Sequence, residues 1–147
     1  MYDITASIVL YKTNLNDLDM VIKSFLNTDL NVFLFISDNS PTDELKKFIE
    51  KIKEKDSRIS YTFNNKNGGY GWGHNVVLKN IVDKSKYHLI LNPDIFFESG
   101  VLEKIYDYME KNPDIGQLMP KIVSSDGSIQ YLCKLYPTPK VLFLRRF

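Results

Sequence analysis

The sequence predicts an α/β fold in one domain, a doubly wound and mostly parallel sheet, and three observations point to it. Short apolar runs alternate with segments whose apolar residues recur every three or four positions, the order expected of β-α-β units. The segment between the second and third runs has the length of a helical crossover, which parallel neighbours require. One run, Tyr87-His88-Leu89-Ile90-Leu91, ends abruptly in Asn92-Pro93-Asp94. It is too short for a helix and has no alternating polar face, so it reads as a strand covered on both sides. Pro93 cannot donate to a ladder, so the strand is expected to stop there and deliver Asp94 to the sheet's C-terminal edge. Open α/β sheets bind their ligands at that edge.

The elements follow in order. Ile4 to Tyr11 is rich in β-formers and is expected as the first buried strand. Asn14 and Asn16 offer caps for a helix whose Leu18, Val21, Ile22, Phe25 and Leu26 form one apolar stripe. Asn31 to Ile36 is the second strand, ending in Ser37-Asp38-Asn39-Ser40. Ser40, Pro41 and Asp43 read as N-cap, first-turn proline and third position of a capping box. The helix they start carries Leu45, Phe48, Ile49 and Ile52 on one face. Arg58 to Phe63 is a shorter, more polar strand, expected nearer an edge. After the loop from Asn64 to Gly73, a helix is expected from His74 or Asn75, turning His74, Val77, Leu78, Ile81 and Val82 inward. Ser99 is expected to cap a helix using Val101, Leu102, Ile105, Tyr108 and Met109, stopped by Asn112-Pro113. Gly116 to Val123 reads as a last strand, Asp126-Gly127 as a hairpin turn, and Tyr131 to Phe147 as an aromatic, basic tail.

Composition bounds the partners. The 147 residues are 44% hydrophobic, enough chain for a proper core. With 19 basic and 18 acidic residues well mixed, no nucleic-acid surface is expected. No run approaches the roughly 18 apolar residues of a membrane span, and Asp3 and Thr5 interrupt the start before a leader's apolar core develops. The single Cys133 leaves no internal disulfide or cysteine-based metal site and fits a reducing cytoplasm.

Parallel strands place their C-terminal ends on one side, so Tyr11, Asp38, the glycine-rich loop and Asp94 are expected to converge. Each is open to a plain and a functional reading. Asp38 and Asn39 are turn and capping residues, or else a carboxylate at this height accepts hydrogen bonds from a base or ribose. Four glycines in the seven residues from Asn67 to Gly73 make a loop with Tyr70 and Trp72 packed back on the domain. Alternatively they bring backbone close to a ligand, with a helix N-terminus beyond favouring phosphate. The spacing matches neither a P-loop nor G-x-G-x-x-G. His74 is a helix-start contact or a phosphate contact, and His88 is expected to be structural. Asp94 is a turn residue or a ligand of Mg²⁺ or Mn²⁺, which often take only one or two carboxylates plus substrate phosphates. Asn92 would assist from two residues earlier.

These segments carry a resemblance. Ser7-Ile8-Val9-Leu10-Tyr11, Ser37-Asp38-Asn39-Ser40-Pro41-Thr42-Asp43, Asn67-Gly68-Gly69-Tyr70-Gly71-Trp72-Gly73-His74-Asn75 and Leu91-Asn92-Pro93-Asp94 occur in the order seen in family 2 glycosyltransferases. The chain resembles that family, and within it the bacterial rhamnosyltransferase-like group. The resemblance implies a GT-A-like, Rossmann-like sheet and transfer, with inversion, from a nucleoside-diphosphate sugar (dTDP-rhamnose or a UDP-sugar) to a cell-surface polysaccharide or lipid-linked acceptor. It implies donor contacts at Tyr11, Asp38, Asn39, Asn67, Gly68, Gly69, Asn75 and Asn92, and a Mg²⁺ or Mn²⁺ on Asp94. Asn92 stands where many relatives carry the first Asp of Asp-x-Asp. The family's later Glu-Asp segment, which supplies the catalytic base, has no match, so a donor-binding part is expected and the base is unassigned. The alternative is a non-catalytic module that binds nucleotide sugar or a partner chain. The tail, with Leu142, Phe143 and Leu144 beside Lys140, Arg145 and Arg146, is expected to dock on its own domain or touch a membrane's inner face.

Overall fold

A parallel sheet forms from β1 (Tyr2–Leu10), β2 (Val32–Asp38), β3 (Ile59–Phe63) and β4 (Ser85–Leu91), in the spatial order β3-β2-β1-β4. The computed structural model describes residues 1–81, 83–124 and 126–130. Contacts divide the chain into two units, Met1–Lys111 and Asn112–Phe147.

In the first unit, register sets the two faces of the sheet. Ile4, Ala6 and Ile8 align with Val32, Leu34 and Ile36 on one side and with Tyr87, Leu89 and Leu91 on the other. Paired residues in a ladder share a face, so this face is almost wholly apolar. Helices α1 (Leu15–Leu26), α2 (Lys46–Lys53) and α4 (Val101–Lys111) supply Leu18, Val21, Ile22, Phe25, Ile49 and Leu102 to the same core. Asn14 caps α1 by accepting from the Asn16 amide at 2.8 Å. The opposite face presents Thr5, Ser7, Val9 and His88, and α3 (Tyr70–Leu78) packs there through Gly73, His74 and Val77. Helices on both faces of a parallel sheet give the expected doubly wound α/β arrangement.

Several boundaries depart from expectation. β2 runs on through Asp38, which aligns with Leu10 and Phe63, so Asp38 belongs to the ladder rather than to the loop after it. Ser40 caps no helix: α2 begins at Lys46, and the Ser40 hydroxyl instead accepts the Lys12 amide at 3.0 Å. α3 begins at Tyr70, inside the glycine-rich segment, because Gly69 (φ 87°) ends the loop in a conformation that other residues rarely adopt. β4 is not covered on both sides. It lies at the sheet edge among the described strands, and Ile90 is 46% exposed, the nine-residue α3 being the helix that packs on that face among the described residues. β3 sits at the other edge, as expected.

In the second unit, β5 (Ile122–Val123) pairs antiparallel with β6 (Ile129–Gln130) around the expected Asp126-Gly127 turn. Of the expected strand from Gly116, only the last two residues form one. Val82, Cys133 and the tail from Tyr131 lie outside the described residues. Among those described, no helix is long and apolar enough to cross a membrane.

Candidate functional site

The strand order reverses between β1 and β4: β1 leads to β2 and β3 on one side and meets β4 on the other. In open α/β sheets the loops at such a switch point diverge and leave a crevice at the strands' C-terminal ends. Here its walls are the residues after β1, Tyr11 and Lys12, and those after β4, Asn92 to Asp94. Tyr11 is 49% exposed, with the Lys12 ammonium 5.7 Å from its ring centre. Lys12 has φ 52°, and its backbone N–H donates to the Ser40 hydroxyl.

Beside this crevice, the β2 end is a closed polar lattice. Asp38 is fully buried; Oδ1 accepts the Ser40 amide at 2.9 Å and Oδ2 accepts the Tyr61 hydroxyl at 2.8 Å. Burial, then that bond to Asp38, pushes the Tyr61 phenol's pKa up. Asn39 is also buried: its Nδ2 donates to the Gly69 carbonyl at 3.0 Å and its Oδ1 accepts from Asn64 Nδ2 at 2.8 Å. Asn64 Nδ2 also reaches the Ser37 hydroxyl at 2.8 Å. Asn39 is therefore more than a turn residue, since it ties the ends of β2 and β3 to the glycine-rich loop.

That loop is built for packing as much as for approach. Asn67 Oδ1 accepts the Gly69 amide at 3.0 Å, a local turn, and Gly68 lies against the Trp72 indole. A Cβ at Gly73 would fall 2.7 Å from both Val9 methyls, so glycine there lets α3 seat on the end of β1. Tyr70, in the first turn of α3, donates from its hydroxyl to Asn92 Oδ1 at 2.6 Å. The loop thus reaches the wall of the crevice. Burial, then the Asp94 charge, raises the Tyr70 pKa. Asn75 lies on the exposed side of α3.

Below Tyr70 runs a chain of buried and half-buried side chains that takes in His74, read from the sequence as a helix-start or a phosphate contact, and His88, read as structural. His74 is 3% exposed and meets the Tyr70 ring edge-on, with centres 4.4 Å apart. Its Nδ1 is 2.7 Å from the Ser7 hydroxyl, which is also 2.8 Å from His88 Nε2. His88 Nδ1 is 2.9 Å from the Thr5 hydroxyl, and that lies 2.7 Å from Ser85 Oγ. Burial lowers both histidines' pKa values; for His88, with the nearby His74 adding to the effect, the value falls to about 4. Both rings are therefore neutral at pH 7, and one shared hydroxyl couples their tautomers. Strand alternation puts Thr5 and Ser7 on one face in the sequence, but the β1–β4 register that brings His88 to them is not local information.

Asp94 is exposed and has no hydrogen-bond or ion-pair partner among the described residues. Among those residues no group of three His, Cys, Asp or Glu side chains stands ready to hold a metal. One free carboxylate still fits a hard cation that takes most of its oxygens from substrate phosphates and water. Asp126 is tied into its own turn, Oδ1 accepting the Ser128 amide at 2.9 Å and its hydroxyl at 2.6 Å. A groove of about 540 Å³, floored by Ile22, Leu26, Phe48 and Ile52, lies at the other end of the sheet and holds none of these residues.

Comparison with known proteins bears on what this arrangement is for. The family described as Glycosyl transferase family 2 matches residues 7–140. An uncharacterized glycosyltransferase, MJ1057, of Methanocaldococcus jannaschii is 30% identical over 99 residues, covering 66% of this chain and 33% of that protein. The chain thus spans about a third of that relative. Two crystal structures of S. aureus TarS share the fold. The one of residues 1–349 has a TM-score of 0.63 at 15% identity, covering 76% of this chain and 33% of that one. The other has a TM-score of 0.62 at 18% identity, covering 74% and 20%.

Proposed function

This chain belongs to glycosyl transferase family 2, and from that premise we propose that it binds a nucleoside-diphosphate sugar in the crevice between the ends of β1 and β4. The single observation that supports this most is the Tyr70–Asn92 bond, which joins the glycine-rich loop to the strand end bearing Asp94. It brings the strand end bearing Asp94 into the network that Asn39 already forms with that loop.

In this reading the exposed Tyr11 ring lies beside the nucleotide, and Gly68 and Gly69 border the donor. Asp38 serves the base. Each carboxylate oxygen can accept a second bond, but the residue is fully buried, so a base reaches it only by moving the Tyr61 hydroxyl aside. Asp94 holds a Mg²⁺ or Mn²⁺, with Asn92 beside it. A cation bound there would neutralise charge developing on the leaving diphosphate. The sugar passes with inversion to a saccharide acceptor, and a dTDP-rhamnose or UDP-sugar donor and a cell-surface polysaccharide or lipid-linked acceptor at the inner face of the membrane complete the proposal.

A second reading, a donor-binding module that does not itself transfer, is favoured by one observation. Inverting transfer needs a base within reach of the acceptor hydroxyl; of the acidic residues after Asp94, Asp126 would be the first to consider, and Ser128 holds it in a turn.

Calorimetry with uridine and thymidine diphosphates and their sugars, with Mn²⁺ and with EDTA, tests the proposal. Mn²⁺ should tighten binding, and Asp94→Ala should remove the enhancement without unfolding the protein. Equal affinity in Mn²⁺ and EDTA would sink the metal-assisted donor site. Acceptor-dependent single-turnover transfer then separates the two readings.

A further inference from the structure

We infer that Tyr70 and His74 are positioning residues of the crevice, and that the Ser7–His74 pair acts through Tyr70 to fix the orientation of Asn92 beside Asp94. The inference rests on the donor-site reading for its consequence, but not for its geometry. Neither Tyr70 nor His74 is among the residues assigned above to the donor, and their arrangement is specific. Ser7 is fully buried in the central strand and anchors His74 Nδ1 at 2.7 Å. The imidazole, 3% exposed, abuts the Tyr70 ring at a 74° interplanar angle, with centres 4.4 Å apart. Edge-to-face rings at this distance attract and resist sliding. The Tyr70 hydroxyl then donates to Asn92 Oδ1 at 2.6 Å.

Asn92 needs such a support. It is exposed, it follows the last residue of an edge strand, and a freely rotating amide would present oxygen or nitrogen to a ligand indifferently. With Oδ1 accepting from Tyr70, the amide's N–H groups are left to face outward. A donor phosphate is an acceptor, and N–H is what it requires. Tyr70 also feels the Asp94 charge, which places the phenol within electrostatic reach of the carboxylate.

The chain has a fixed lower end. His88 Nε2 shares the Ser7 hydroxyl at 2.8 Å, and Ser7 has a single proton to give. If Ser7 donates to His74, His88 must donate to Ser7; if Ser7 donates to His88, His74 must donate to Ser7. His74 is therefore held in either tautomer, and its ring does not rotate independently. His74 Nε2 is buried without a partner among the described residues. Such an unpaired buried group costs stability.

Two measurements test this, one without ligand. In protein labelled with ¹⁵N, the Asn92 side-chain amide resonances should shift in Tyr70→Phe, which removes only the hydroxyl. They should also shift in Ser7→Ala and His74→Phe, although Ser7 lies two side chains away. Unchanged Asn92 resonances in folded Ser7→Ala would overturn the inference whether or not a nucleotide binds. The second measurement is thymidine and uridine diphosphate affinity with and without Mn²⁺. Tyr70→Phe and His74→Phe should each weaken diphosphate binding by roughly three- to tenfold, with Mn²⁺ and without it, since the Asn92 N–H groups meet the phosphate in either case. The double variant should lose no more than either single one, because the two residues act in series. Additive losses, or a loss of affinity with no shift of the Asn92 resonances, would show a merely structural role. If the unaltered protein binds no diphosphate, the donor site fails, while the Asn92 resonances still decide this inference.

Discussion

Tyr61 donates its hydroxyl to Asp38 Oδ2 at 2.8 Å across the β2–β3 pair, and Asp38 has no exposed surface. Removing that donor leaves a buried carboxylate with only the Ser40 amide. Tyr61→Phe should therefore cost about 1–3 kcal/mol, the penalty for an unsatisfied buried polar group. Urea denaturation measures it. A loss below a few tenths of a kcal/mol would mean that water replaces the phenol.

The buried histidines make stability depend on pH. His88 titrates at about 4 in the folded protein, against 6.5 for an ordinary histidine, and His74 is shifted the same way. The unfolded chain thus takes up protons first as pH falls. Their contribution is whole above about pH 6.5, declines as pH drops towards 4, and levels off below. For His88 it amounts to about 1–3 kcal/mol, once its partly open surroundings are allowed for. Urea midpoints at pH 7, 5.5 and 4.5 should fall in that order, and His88→Gln should flatten the trend. A slope unchanged by that substitution would assign the loss to other groups.

Two glycines in one helix should respond in opposite ways. Gly73→Ala sets a methyl 2.7 Å from Val9 and 3.1 Å from Asn39 Nδ2. Overpacking of this kind costs about 1–3 kcal/mol. Gly71→Ala meets nothing within 4 Å and should stabilise by up to about 1 kcal/mol through helix propensity. Thermal unfolding of the two variants side by side decides the matter, and equal shifts would refute the close seating of α3 on β1.

Asn64 and Asn39 form a pair whose loss should not add. Asn64→Ala removes the bonds to Ser37 and Asn39; Asn39→Ala removes the bond to Asn64 and the one to the Gly69 carbonyl. Residues in one hydrogen-bond network couple by about 0.5–3 kcal/mol. A double-mutant cycle in urea measures this, and strict additivity would mean that the lattice at the β2 end is not cooperative.

What the sequence made legible was local. The Leu18, Val21, Ile22 and Phe25 stripe needs only helical periodicity, and the Asn14 cap lies one residue from its helix. Pro93 stops β4 by lacking an amide proton, and the following Asp94 reaches the strand-end edge as expected. What was not legible depended on distant partners. Ser40 has the composition of a cap, but Lys12, 28 residues away, takes its hydroxyl. The apolar residues of β4 read as fully buried, yet Ile90 is 46% exposed on the face where α3 packs among the described residues. The site residues divide in the same way. Tyr11 and Asp94 follow from strand ends, whereas Tyr61, Asn64, Tyr70 and Ser7 emerge only from register and helix placement.

The strand order also has a consequence in time. Every ladder in the four-stranded sheet is parallel, so none closes through a tight hairpin. β1, first in the chain, is central, and its two flanks mature unequally: β2 follows after one helix, but the Thr5–His88 contact joins positions 83 residues apart. Closing so long a loop is slow relative to local structure. The Met1–Phe63 layer should therefore gain protection against amide exchange before β4 docks, and until then the polar face of β1, with Thr5 and Ser7, stays wetted. The crevice is thus the last part of the sheet to exist, assembled only when the chain's late strand returns to its earliest one.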